Sequence, residues 1–142
     1  MPVNLALDQQ GRLYVSDMAA CRIKIYAADG KHLKSLGGRG DLPGQFARPK
    51  GVAADREGRV YVVDAATQVV QVFNPEGKLL MYFGAPGAST QGELYLPAAV
   101  KIDYDNVGLF KQRVVPEFDL EYLILVISQF GDHKVNVYGF LK

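Results

Sequence analysis

Cysteine occurs once in this chain, at Cys21. That single thiol excludes an intrachain disulfide framework, a CxxCH haem attachment and a Cys-rich zinc site. Histidine is scarce as well, with only His32 and His133. A surplus of one charge is missing: 16 basic residues stand against 15 acidic ones, for a net +1. Such a balance removes the electrostatic drive of non-specific nucleic-acid binding, so no nucleic-acid partner is expected. No apolar run approaches the ~20 residues of a membrane-spanning helix. The opening MPVNLALDQQ lacks the basic segment and apolar core of a signal peptide. A periplasmic or extracellular location would follow only if these residues belong to a longer secreted protein. No window shows the 3.6-residue periodicity of an amphipathic helix, which removes a helical solenoid.

What the chain does contain is a repeat. Its 142 residues, 49% hydrophobic and 22% charged, suit one ordinary globular domain. Residues 51–84 read as four short β-strands: GVAAD, RVYVVD, TQVVQVF and KLLMYFG, separated by turns such as Asn74-Pro75-Glu76-Gly77. The same text occurs once earlier. Gly11, Tyr14, Asp17, Gly30 and Gly37 return 47 residues later as Gly58, Tyr61, Asp64, Gly77 and Gly84. Self-similarity at such a period marks a repeat architecture. Val69, Val70, Val72 and Phe73 are nearly continuous apolar residues, the pattern of a strand covered on both faces. A four-stranded sheet covered on both faces by copies of itself is a propeller blade. The sequence thus predicts an all-β propeller arc, with blades over 3–49, 50–97 and 98–142.

The third unit is irregular. AVKID (99–103) matches the first strand, but a longer segment, about 104–121, replaces the short turn that should follow. Counting from Asp103 to a matching Gln129 gives an insertion of 17 residues. YLILVIS and KVNVY supply two further strands, and no fourth one follows. Three blades do not close a ring, which takes about 4 to 8. Either the chain is the C-terminal half of a six-bladed protein, or two copies assemble into a homodimeric six-bladed ring.

At these residues the chain resembles the NHL-repeat family of six-bladed propellers. Pro49 to Asp55, Gly58 to Asp64, Val69 to Phe73 and Phe83-Gly84 match the family's strand motifs, and Leu42-Pro43-Gly44-Gln45-Phe46 resembles its linker. The resemblance is close over 3–97 and partial over 98–142. It implies the fold firmly and a function only broadly, since such propellers serve in protein contacts, RNA binding, extracellular sensing and metal-dependent lyase or hydrolase chemistry. The C-terminal text, KIDYDNV with EYLILV and KVNVYGF, is also similar to envelope propellers of anaerobic bacteria that accompany multihaem cytochromes.

Asp17 and Asp64 end second strands, where a carboxylate satisfies turn amides; their occurrence once per blade favours that role over catalysis. Gly38-Arg39-Gly40-Asp41 leads into a strand rather than a helix, unlike a phosphate loop. Cys21 has no identifiable base beside it. Arg39, Asp41, Gln45, Phe46, Arg48, Lys50, Gln68 and Tyr95 lie in connections that a propeller gathers on its rims, where loops carry function. Asp132 and His133 lie in a similar connection, short of the three ligands a catalytic zinc needs. The insertion brings Phe110, Arg113 and Phe118, which either cover an exposed edge or anchor a partner. The expected function is a non-enzymatic binding or scaffold module for a protein or small polar ligand, without metal or cofactor. A metal-dependent lyase or hydrolase with most ligands outside these residues is the alternative.

Overall fold

In the computed structural model, which describes all residues Met1–Lys142, consecutive strands pair antiparallel into three blades. Blade 1 contains β1 (Pro2–Leu7), β2 (Leu13–Asp17), β3 (Arg22–Tyr26) and β4 (His32–Leu36), in that order across the sheet. Blade 2 contains β5 (Pro49–Ala54), β6 (Val60–Asp64), β7 (Val69–Phe73) and β8 (Leu79–Phe83). The linker to the next blade holds a two-residue parallel pair, β9 (Ala85–Pro86) with β10 (Glu93–Leu94). Blade 3 has three strands: β11 (Pro97–Asp103), β12 (Leu120–Ser128) and β13 (Val135–Leu141). No helix is long and apolar enough to cross a membrane.

The apolar run of the middle blade has the cause that its pattern predicts. Along β6, Val60 and Val62 enter one core with Tyr14, Ile23, Ile25 and Leu36 of blade 1. Tyr61 and Val63 enter a second core with Val100, Tyr122, Ile124 and Val126 of blade 3. Alternate side chains therefore bury on opposite neighbours, and every residue of β6 is buried. Blade 2 is the filling between two blades.

The connections plug these interfaces. Phe46 is fully buried in the first core, its ring 5.7 Å from that of Phe73. Leu94 is its counterpart in the second core, also fully buried. Each plug lies over a glycine of positive φ that ends a fourth strand: a Cβ on Gly37 would fall 2.2 Å from Phe46, and one on Gly84 would fall 2.6 Å from Leu94. This explains the Gly at the end of each unit. Gly51 answers to a different demand, because a Cβ there would meet the Ala99 backbone at 2.6 Å, where inner strands β5 and β11 converge.

Strand register corrects the count in the third unit. Pro2 pairs with Asp17, Pro49 with Asp64 and Pro97 with Ser128. Ser128, not Gln129, therefore holds the repeat aspartate's place. The extra residue that misled the count lies in the 129–133 loop rather than in the insertion. The insertion itself contains two 3-10 turns, Val107–Leu109 and Lys111–Arg113. Val107, Phe110 and Val114 pack on Leu120, Leu123 and Leu125. Leu123 and Leu125 point away from blade 2, so the insertion covers part of the outward face of the last blade.

Candidate functional site: a loop rim and a buried latch

An up-and-down sheet sends alternate connections to opposite ends, which sorts the candidate residues. One rim holds the connections 18–21, 37–48, 65–68, 84–96 and 129–134; the other holds 8–12, 27–31, 55–59, 74–78 and the insertion. Arg39, Asp41, Gln45, Arg48, Gln68, Tyr95, Asp132 and His133 share the first rim. Phe110, Arg113 and Phe118 belong to the second, so they form no common site with the others.

The first rim is stiff because carboxylates tie its loops down. Asp64 accepts hydrogen bonds from the turn amides of Ala66 (2.9 Å) and Thr67 (3.2 Å), and from the linker amides of Ala47 (2.7 Å) and Arg48 (3.1 Å). Ser128 repeats this with one bond, from the Tyr95 amide at 3.2 Å. In blade 1, Asp17 accepts from the Ala20 amide (3.2 Å), the Met1 ammonium (2.6 Å) and Lys24 (2.9 Å). Those partners, the ammonium first, hold its carboxyl far below the ordinary range. A second tie crosses between blades: Gln71 donates to the Gln45 carbonyl (2.7 Å) and accepts from the Gly44 amide (2.7 Å). Asn136, the same position in blade 3, donates to the Glu93 carbonyl at 3.4 Å. The aspartates are structural, as their recurrence indicates.

Two sequence expectations change in this setting, at Phe46 and Lys50. Phe46 is no surface anchor, because the linker folds it into the interblade core where water cannot reach. Lys50 belongs to β5 rather than to a connection. Gln68 takes a left-handed conformation, φ 60°, as does Cys21 at φ 52° in the equivalent turn. Its side chain accepts from the Leu96 amide at 3.4 Å and joins two loops.

What stays open on the first rim is a small set of side chains. Arg48, Asp41, Asp132 and His133 are exposed and form no ion pair, while Arg39 reaches the Ala19 carbonyl at 3.0 Å. Tyr95 (43% exposed) and Phe130 (55% exposed) stand 6.0 Å apart as a tilted aromatic pair beside Asp132 and His133. Phe130 has no partner in the repeat pattern, and only the folding of the 129–133 loop onto the 84–96 linker reveals it. Asp41 also borders a pocket of about 190 Å³ with Leu42, Pro43, Thr67, Gln71 and Tyr82. No three His, Cys, Asp or Glu side chains converge closely enough to hold a metal ion.

The second rim hides a polar cluster that the sequence reading missed. Asp55 accepts from Arg59 Nε (2.6 Å) and from the Tyr122 hydroxyl (2.8 Å), and Tyr122 lies 2.6 Å from the Tyr61 hydroxyl. Blade 1 carries the simpler form, with Asp8 accepting from Arg12 Nε (2.6 Å) and Tyr14 (3.0 Å). Tyr122 is supplied by blade 3, so the cluster latches one blade to the next. Burial first, then Tyr61 and Asp55, push the Tyr122 hydroxyl far up. Burial and the Asp8 charge push Tyr14 up to about 12. Tyrosines held this firmly protonated are poor general bases, and the acceptor they face is already shared. The spacing of Asp, Arg and Tyr in both repeats was the signal available in the sequence.

Together the blades, plugs and carboxylate ties define a β-propeller protein. Residues 46–73 match the NHL repeat, running from the Phe46 plug to the end of β7. The hydrazine synthase of Kuenenia stuttgartiensis is similar in fold, with a TM-score of 0.57 at 15% identity over 90% of this chain. This chain spans 32% of that one. A streptogramin B lyase gives a TM-score of 0.43 at 12% identity, over 98% of this chain and 54% of its own. A Bacteroides caccae protein of unknown function gives 0.33 at 12%, over 96% and 60%. Likeness at this identity concerns the fold alone. No curated protein matches the chain.

Proposed function

We propose that the chain is a non-enzymatic binding module that offers its first rim to a protein partner or a small polar ligand. The observation that carries this reading is the exposed Tyr95–Phe130 pair among unpaired charges, on loops fixed by Asp64, Gln71 and Ser128. Aromatic side chains beside arginine and carboxylate groups, on a backbone that is already ordered, bind at low entropic cost. The mixed charge of Arg39, Asp41, Arg48, Asp132 and His133 suits a polar or zwitterionic surface better than a polyanion.

The test compares proteins and metabolites retained by the immobilised wild-type chain with those retained by a Tyr95→Ala/Phe130→Ala double variant of equal thermal stability. Retention that disappears in the variant supports the rim as the site. Identical retention by both contradicts it.

A further inference from the structure

A hollow of about 190 Å³ opens where the linker from blade 1 crosses blade 2, both of them complete four-stranded sheets. One wall is the turn Leu42-Pro43-Gly44-Gln45. Gly44 at φ 85° and the bond from the Gln45 amide to the Leu42 carbonyl, 2.9 Å, give it the type II form. Gln71 clamps this turn with both ends of its side-chain amide, so the wall is set before anything binds. The other wall is blade 2 itself, with Val69 and Gln71 of β7 and with Tyr82 of β8, which pairs with Gln71. Thr67 borders the hollow from the 65–68 turn.

Three polar groups here have unused capacity. Asp41 borders the hollow with an exposed carboxylate that forms no ion pair, and its neighbour Arg39 turns to the Ala19 carbonyl instead. The Thr67 hydroxyl is shielded from solvent yet has no hydrogen-bond partner, a state that calls for one. Tyr82, 54% exposed, offers a ring face and a hydroxyl. No lysine, arginine or histidine borders the hollow, while Leu42, Pro43 and Val69 supply apolar surface. The charge therefore suits a cation, and the apolar lining suits an aliphatic stem behind it. Drug-sized ligands take pockets of about 300 Å³ or more, so this smaller space fits a single long side chain. Arginine answers better than lysine, because its planar fork of donors matches a carboxylate and stacks on an aromatic ring.

We infer that this hollow is a socket for an arginine side chain of the protein partner, seated against Tyr82 with its guanidinium on the Asp41 carboxylate. The inference rests on the reading of the first rim as a protein-binding surface, and names one group that the partner brings. The socket and the Tyr95–Phe130 pair stand on different linkers, 37–48 and 84–96, so each can be removed without the other.

The probe is Nα-acetyl-arginine methylamide, which carries the side chain between peptide groups with no free termini. It is titrated into the full chain and followed by amide NMR shifts. The expected result is saturable binding in the millimolar range, with shifts concentrated at Thr67, Gln71 and Tyr82. The neutral citrulline analogue should bind about tenfold more weakly or worse. Asp41→Asn should weaken the arginine probe by a similar factor, through loss of the charge-assisted bond. Thr67→Val should weaken it a few-fold while melting no lower than the wild type, since the hydroxyl has no partner in the free chain. Absence of saturable binding, equal binding of the citrulline analogue, or tighter binding of the lysine analogue would overturn the inference. Binding of free arginine but not of the capped form would overturn it too, since the occupant would then be the amino acid rather than a protein side chain. The rim reading survives any of those results if partner retention still depends on Tyr95 and Phe130.

Discussion

Blades 2 and 3 are built on one template and reach different ends. Blade 2 has four strands, neighbours on both faces and a β6 in which no residue is exposed. Blade 3 has the same Pro-to-Asp first strand, but three strands, one neighbour and an insertion folded over part of its free face. Where blade 2 holds its linker with two amide bonds to Asp64, from Ala47 and Arg48, blade 3 uses the single bond of Ser128. Burial in a repeat protein is a property of neighbours more than of the repeat itself. Ile127 occupies the place of Val63, and it is 47% exposed where Val63 is fully buried.

The largest expected effect comes from removing a plug. Phe46→Ala should cost about 3–5 kcal/mol, because it opens a cavity in a core that cannot collapse around the crossing sheets. Leu94→Ala should cost less, about 2–4 kcal/mol, since the second core borders the less complete blade. Chemical denaturation of both variants measures the difference, and equal losses would break the contrast between the two interfaces.

Next come the linker ties. Asp64→Ala leaves four part-buried amides without their acceptor and should cost about 2–4 kcal/mol, whereas Ser128→Ala removes one bond and should cost about 1 kcal/mol. If the two variants melt alike, the carboxylate is not what fixes the rim of blade 2.

At neutral pH the smallest effect is the one that titration brings out. Tyr14, Tyr61 and Tyr122 all have hydroxyls raised above the ordinary value, Tyr14 to about 12. Their protonated forms stabilise the fold fully below the unfolded-state value of 10.0. As pH rises past that point the unfolded chain ionises first, so stability should fall, by at most about 1.4 kcal/mol per pH unit for each tyrosine. Tyr122→Phe should flatten the profile; an unchanged slope would remove the latch from the account.

Much of this was written in the sequence, and the parts that were not share a cause. The turn glycines, the Tyr and Asp in register, and the apolar run through Val69–Phe73 all report local or repeated geometry, and the fold follows from them. Counting residues along the third unit failed at Gln129 because spacing cannot say which loop absorbs an extra residue; pairing of Pro97 with Ser128 can. Phe46 read as an open rim residue because linkers run on surfaces, yet this one turns its ring into a core. Tyr122 and Phe130 matter only through contacts with residues far away in the chain, at Asp55 and Tyr95. Such contacts leave no periodic trace.

Amide hydrogen exchange at four matched positions tests the central claim, that within residues 1–142 the outer side of β13 is unpaired where that of β7 is paired. Val70 and Val72, which bond to β8, should be strongly protected. Val135 and Val137, their counterparts in β13, should exchange in the free chain nearly as fast as a solvated edge. Equal, strong protection at all four positions would show that the edge is already covered, and the contrast between the blades would be lost.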